Sequence, residues 1–99
     1  MKGEWVKAAE AAAAALSCGG QYDFRLELKA VGQGRFVASV MNKAVICGVG
    51  SGGSWDAAAR RCLESLVEFA PWALDGTAIA GAGSPEEIAL RLAAAEEAP

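Results

Sequence analysis

Tyr22-Asp23-Phe24-Arg25-Leu26-Glu27-Leu28-Lys29-Ala30 alternates without a break, with Tyr22, Phe24, Leu26, Leu28 and Ala30 on one side and Asp23, Arg25, Glu27 and Lys29 on the other. Strict period-two alternation marks an antiparallel strand with one face on a core and one in water. Gly32-Gln33-Gly34 supplies a turn, and Arg35 to Met41 reads as a second strand with Phe36, Ala38 and Val40 inward. Asn42-Lys43 predicts a tight hairpin turn, without the glycine that favours one, and Ala44 to Val49 predicts a third strand.

Upstream, Lys2 to Ser17 is rich in alanine and predicts a helix whose inward stripe is Trp5, Ala8, Ala12 and Leu16, ended by Cys18-Gly19-Gly20. Downstream, the glycine-rich run Gly48 to Gly53 predicts a bend. Ser54 is placed to cap a helix starting at Trp55, with Asp56 in its first turn. Ala59, Cys62, Leu63, Leu66 and Ala70 share one face of that helix, and Pro71 ends it. After a connector, Ser84-Pro85-Glu86-Glu87 combines an N-cap, a first-turn proline and a capping-box acid, which starts a last helix carrying Ile88 and Leu92 on one face.

A chain of 99 residues supports one modest core. The uncharged run Ala11 to Gln21 is too short to span a bilayer, and Glu10 interrupts what would be the apolar stretch of an export signal. Three cysteines, Cys18, Cys47 and Cys62, with no C-x-x-C pair and no histidine, fit neither a disulfide framework nor a zinc site. Cys47 on a strand and Cys62 on an apolar helix face read as small buried hydrophobes, so the expected compartment is the cytoplasm. The net charge of −3 is opposite in sign to that of a dedicated nucleic-acid binder.

The stretch Tyr22 through Phe36, the run Val45-Ile46-Cys47-Gly48-Val49-Gly50-Ser51-Gly52-Gly53-Ser54, and Ala58, Cys62, Leu63 and Leu66 together resemble the double-stranded-RNA-binding domain. In that family an aromatic opens the first strand, a phenylalanine opens the second, and a G-x-G-x-S bend leads into an alanine-rich second helix. The resemblance implies an α+β fold of order α-β-β-β-α over residues 1–70, a three-stranded antiparallel sheet with helices packed on one face. Residues 71–99 add a connector and an extra C-terminal helix, packed on the same domain or on a partner. The family grips A-form RNA by shape, with a K-K-x-A-K cluster on the phosphates at the start of the second helix. That cluster falls here on Trp55, Asp56, Ala58 and Ala59, so all three lysine positions are lost. Losing about three phosphate contacts weakens RNA binding by orders of magnitude at physiological salt.

The run Gly48 to Gly53 also matches G-x-G-x-x-G, but the strand before it belongs to an antiparallel meander and too little chain follows for a βαβ unit. No histidine, metal-ligand spacing or nucleophile with a base is legible, so no catalytic residue, metal or cofactor is expected and the chain reads as non-enzymatic. Paired acids such as Glu86-Glu87 and Glu96-Glu97 read as solvated faces or helix-end bias.

These readings favour a binding module acting through protein contacts, a homodimer or a docking partner, with Trp55, Asp56, Val37, Met41 and Trp72 as candidate contact residues. For Trp55 the structural reading beside this is packing against Trp72 or the last helix. The alternative is weak duplex-RNA binding through Arg60, Arg61, Lys43 and Arg35, with Arg25 and Lys29 in support. A further alternative rests on general character alone: small acidic chains of this kind are similar to phage inhibitors, including anti-CRISPR proteins that block a nucleoprotein complex. No membrane and no small-molecule partner is expected.

Overall fold

The sheet is the organising layer of the computed structural model, which describes residues 3–97. Strands β1 (Phe24–Gly32), β2 (Arg35–Asn42) and β3 (Val45–Gly52) pair antiparallel in the order β1-β2-β3. Helices α1 (Glu4–Leu16) and α2 (Trp55–Phe69) pack on one face of it, and α3 (Pro85–Glu97) rests on those two helices. The order helix, three antiparallel strands, two helices is the one expected from the sequence, and the C-terminal helix packs within the chain.

Alternation sorts the strands as anticipated over most of their length. Phe24, Leu26 and Leu28 of β1 pack against the core, while Arg25, Glu27 and Lys29 are exposed. Ala38 and Val40 of β2 are fully buried. Two positions read as inward are not: Tyr22 precedes the strand and is exposed, its ring set edge-on to Phe24, and Ala30 lies beyond the cover of α1. The β2–β3 loop is Lys43-Ala44, one residue later than expected, with Lys43 held at φ 57. This is the left-handed region that glycine or asparagine enters more easily.

The glycine-rich run is not a bend. β3 extends through it to Gly52, and Gly48, Gly50 and Gly52 lie beneath α2. A Cβ on Gly50 would fall on the Cys62 amide nitrogen and within 2.6 Å of the Ala58 carbonyl oxygen. One on Gly48 would come within 2.9 Å of the Cys62 carbonyl, and one on Gly52 within 2.9 Å of the Ala57 side chain. Absent side chains therefore let the backbone of α2 sit directly on β3, which leaves no room there for a dinucleotide.

α2 buries Ala58, Ala59, Cys62, Leu63 and Leu66, the face its periodicity indicated. α1 buries Val6, Ala9, Ala12, Ala13 and Leu16, so its inward face is turned from the expected stripe and Trp5 sits at the rim. The Ser84 hydroxyl accepts from the Glu87 amide at 3.2 Å and starts α3 as its sequence indicated. Between α2 and α3, Leu74 and Ile79 close the core.

Burial raises the Cys47 thiol pKa and pushes that of Cys62 up to about 12, because a thiolate loses its hydration there. Cys18 is exposed. In native protein a thiol reagent is therefore expected to modify Cys18 rapidly and Cys62 only after denaturant is added; mass mapping of the labelled peptides tests this. Rapid native labelling of Cys62 would contradict its placement.

Candidate protein interface

Of the residues singled out in the sequence, Trp55 and Asp56 do structural work. The Trp55 ring lies 4.4 Å, centroid to centroid, from that of Phe36, tilted by 52°, so the tryptophan is half-buried against β2, and among the described residues its ring does not pair with that of Trp72. Asp56 reaches across to the other helix: its Oδ1 accepts from the amide of Trp5 at 2.7 Å and of Val6 at 3.1 Å. The start of α1 has no side-chain cap of its own, since Gly3 occupies that position. The carboxylate of α2 supplies the missing cap and complements the positive end of the α1 dipole. Gly3 leaves room for it, because a Cβ there would strike Asp56 Oδ1 and displace the carboxylate. Ala58 and Ala59, the other positions of the lysine cluster, are fully buried.

Arg60 is also committed. Its guanidinium makes 2.6 Å contacts with Glu64 and with Glu86 of α3, and lies 5.4 Å from the centre of the Trp5 ring. The hydrogen bond from Arg60 lowers the Glu86 pKa and, reciprocally, raises that of Arg60. A carboxyl whose folded pKa is depressed contributes stability above its unfolded pKa and loses it as pH falls through the folded value. The stability difference between wild type and Glu86→Gln is therefore expected to shrink as pH is lowered from about 5 to about 3, as urea titrations at a series of pH values would show. A difference independent of pH would refute the pairing. Arg61 is exposed and makes no ion pair among the described residues.

The open face of the sheet is where the remaining candidates converge. Because Ala38 and Val40 point into the core, Val37, Ser39 and Met41 point the other way, onto a face that none of the described helices covers. The register sets Ile46 beside Met41, Val49 beside Ser39 and Ser51 beside Val37. Val37 and Met41 are half-buried on the central strand, whereas Ile46 and Val49 on the edge are 57% and 46% exposed. On the other side, Arg25 flanks Met41, Glu27 flanks Ser39 and Lys29 flanks Val37. Arg35 shares the alternation of Val37 at one end of β2, and Lys43 stands at the hairpin tip beyond the other. Cations outnumber the acids, Glu27 on β1 and Asp23 just before it beside Lys43, on a chain that is acidic overall.

Ile46 and Val49 are not among the five contact candidates read from the sequence. With the glycine run read as a bend, Val49 ended the third strand and its face had no evident consequence. Trp72 lies elsewhere, in the 3-10 turn Pro71–Leu74, 62% exposed. With Leu16, Tyr22, Phe24 and Asn42 it lines a shallow cleft of about 210 Å³ at the end of the sheet. Among the described residues no group of His, Cys, Asp and Glu side chains is arranged to hold a metal, and no helix is long and apolar enough to cross a membrane. A comparison with family models, curated proteins and solved structures finds no match.

Proposed function

We propose that the chain is a non-enzymatic docking module, with a scaffold of the double-stranded-RNA-binding type, whose open sheet face binds an acidic, apolar-studded segment of a partner protein. The observation that carries this is the makeup of that face: Val37, Met41, Ile46 and Val49 in adjoining rows, edged by Arg25, Lys29 and Arg35, with Glu27 as the one acid within the strands. Apolar rows supply desolvation energy, and the surplus of cations selects a partner of opposite sign. Aliphatic rather than aromatic side chains occupy the rows, so the face offers no platform on which bases stack.

The runner-up, duplex RNA, draws support from the same cations, but they do not form one clamp. Arg35 and Lys43 stand at opposite ends of an eight-residue strand, about 25 Å apart by strand rise. Arg61 is on α2, on the other side of the sheet, and Arg60 is held by Glu64 and Glu86. The lysine cluster of the family is replaced by residues that cap, stack or fill the core.

Selection of a displayed random-peptide library on the immobilised protein, with and without Met41→Asp plus Ile46→Asp, tests the reading. Peptides enriched in acids and in leucine, isoleucine or phenylalanine are expected on wild type and lost on the variant. Enrichment unmoved by the variant, or tight duplex-RNA binding at about 150 mM salt, would reject it.

A further inference from the structure

The two edges of the sheet are guarded differently. On β3, the Val49 amide donates to Ser65 Oγ of α2 at 3.2 Å, so that edge is partly occupied by the helix. On β1, the amide and carbonyl of Phe24 both bond Ser17 Oγ, at 3.1 and 3.2 Å. In an antiparallel strand, alternate residues turn their backbone groups to the same side. Leu26, Leu28 and Ala30 therefore point theirs to the free edge with Phe24, and among the described residues no other strand meets them. Natural proteins blunt such an edge with proline, a bulge, an inward charge or charged side chains along the strand; from Phe24 to Ala30 β1 has only the last, Arg25, Glu27 and Lys29, which a strand of matching charge pattern satisfies, and its irregularity falls only between Ala30 and Gly32.

We infer that β1 pairs antiparallel with β1 of a second copy, about a two-fold axis at Leu28, joining two three-stranded sheets into one of six strands. Leu28 then faces Leu28 of the second copy, Leu26 faces Ala30, and Glu27 faces Lys29 twice over, once from each side. Lys29 makes no ion pair within the chain among the described residues, and Glu27 holds only the neighbouring Arg25 at 2.9 Å, so both are available for the new contact. Opposite charges directly across an antiparallel pair stabilise it, and like charges oppose it.

The structure selects this register over its neighbours. An axis at Leu26 needs the backbone of Phe24, which Ser17 already holds. An axis at Glu27 would set Glu27 on Glu27, and one at Lys29 would set Lys29 on Lys29. An axis at Ala30 runs into the irregularity before Gly32. With the axis at Leu28, the half-buried inner side chains of Leu26 and Leu28 gain cover, and the operation is isologous and closed. A two-fold perpendicular to the sheet keeps both open faces on one side, with the charged rows of the two β1 strands between their apolar rows. The pairing goes beyond the docking reading and stands without it.

Sedimentation equilibrium of the whole chain, from about 10 µM to about 1 mM as suits a small interface, tests the inference. The mass is expected to rise from monomer toward dimer, with amide exchange at Leu26, Leu28 and Ala30 slowing over the same range. Lys29→Glu and Glu27→Lys, both at exposed positions, are each expected to weaken the dimer about tenfold or more. The double variant Glu27→Lys with Lys29→Glu restores it, because the pair is re-formed with its charges exchanged. A monomer throughout, or a dimer indifferent to both single reversals, overturns the inference. Met41→Asp with Ile46→Asp, which abolishes docking in the proposed function, leaves this dimer intact, so the two readings fail separately.

Discussion

Gly50→Ala is expected to destabilise the protein by about 3 kcal/mol or more, a large share of the 5 to 15 kcal/mol typical of a small domain. The added methyl would fall on the Cys62 amide nitrogen, within 2.5 Å of the Arg61 carbonyl carbon and 2.6 Å of the Ala58 carbonyl oxygen. These are backbone atoms of α2, which cannot swing aside as a side chain end would. Relief requires lifting the whole helix from β3 and opening the layer that holds Cys62, Leu63 and Leu66. Gly53→Ala is the control, since its Cβ would meet only the Gly34 carbonyl at 3.8 Å. Urea titration is expected to separate the two widely, with Gly48→Ala and Gly52→Ala between them. Equal losses at Gly50 and Gly53 would sink the close-approach account.

Asp56→Lys should cost about 2 to 4 kcal/mol. The substitution removes the oxygen that, among the described residues, alone accepts from the amides of Trp5 and Val6, and it places a cation beside the positive ends of two helices. Asp56→Asn keeps an acceptor of the same shape and is expected to lose about 1 kcal/mol. Thermal melts followed by circular dichroism would rank wild type, Asn and Lys in that order; a Lys variant as stable as wild type would remove the cap from the argument. The proposed likeness to the double-stranded-RNA-binding domain lays a family lysine on this position. In this chain a lysine there and a properly started α1 are incompatible.

The elements that were legible are those whose information is local. Alternation through Leu28, the apolar face of α2 and the Ser84 start of α3 each follow from residues within a few positions of one another. What escaped is set by partners far along the chain. Glycine disfavours strands by intrinsic propensity, and only α2 resting on Gly48, Gly50 and Gly52 makes that run a strand. The Asp56 carboxylate caps a helix fifty residues upstream, a contact with no periodic signature. Of the candidate interface, Val37 and Met41 were read from the pattern of β2 alone, whereas Val49 needed the corrected extent of β3 and Ile46 the register that sets it beside Met41. Trp55 carried no local sign that Phe36, on another strand, would receive it.

The last helix is lightly moored. It buries Pro85 and Ile88 at its start, leans on α2 through Arg60, and from residue 93 to 97 is exposed. Swinging it away would sever one ion pair and uncover Ile88 and Leu92, while the sheet, α1 and α2 kept their own contacts. Regions with few buried contacts open at a fraction of the global unfolding free energy. The molecule thus holds a rigid sandwich and a hinged tailpiece, and proteolysis in native buffer would clip the tailpiece long before the sandwich yields.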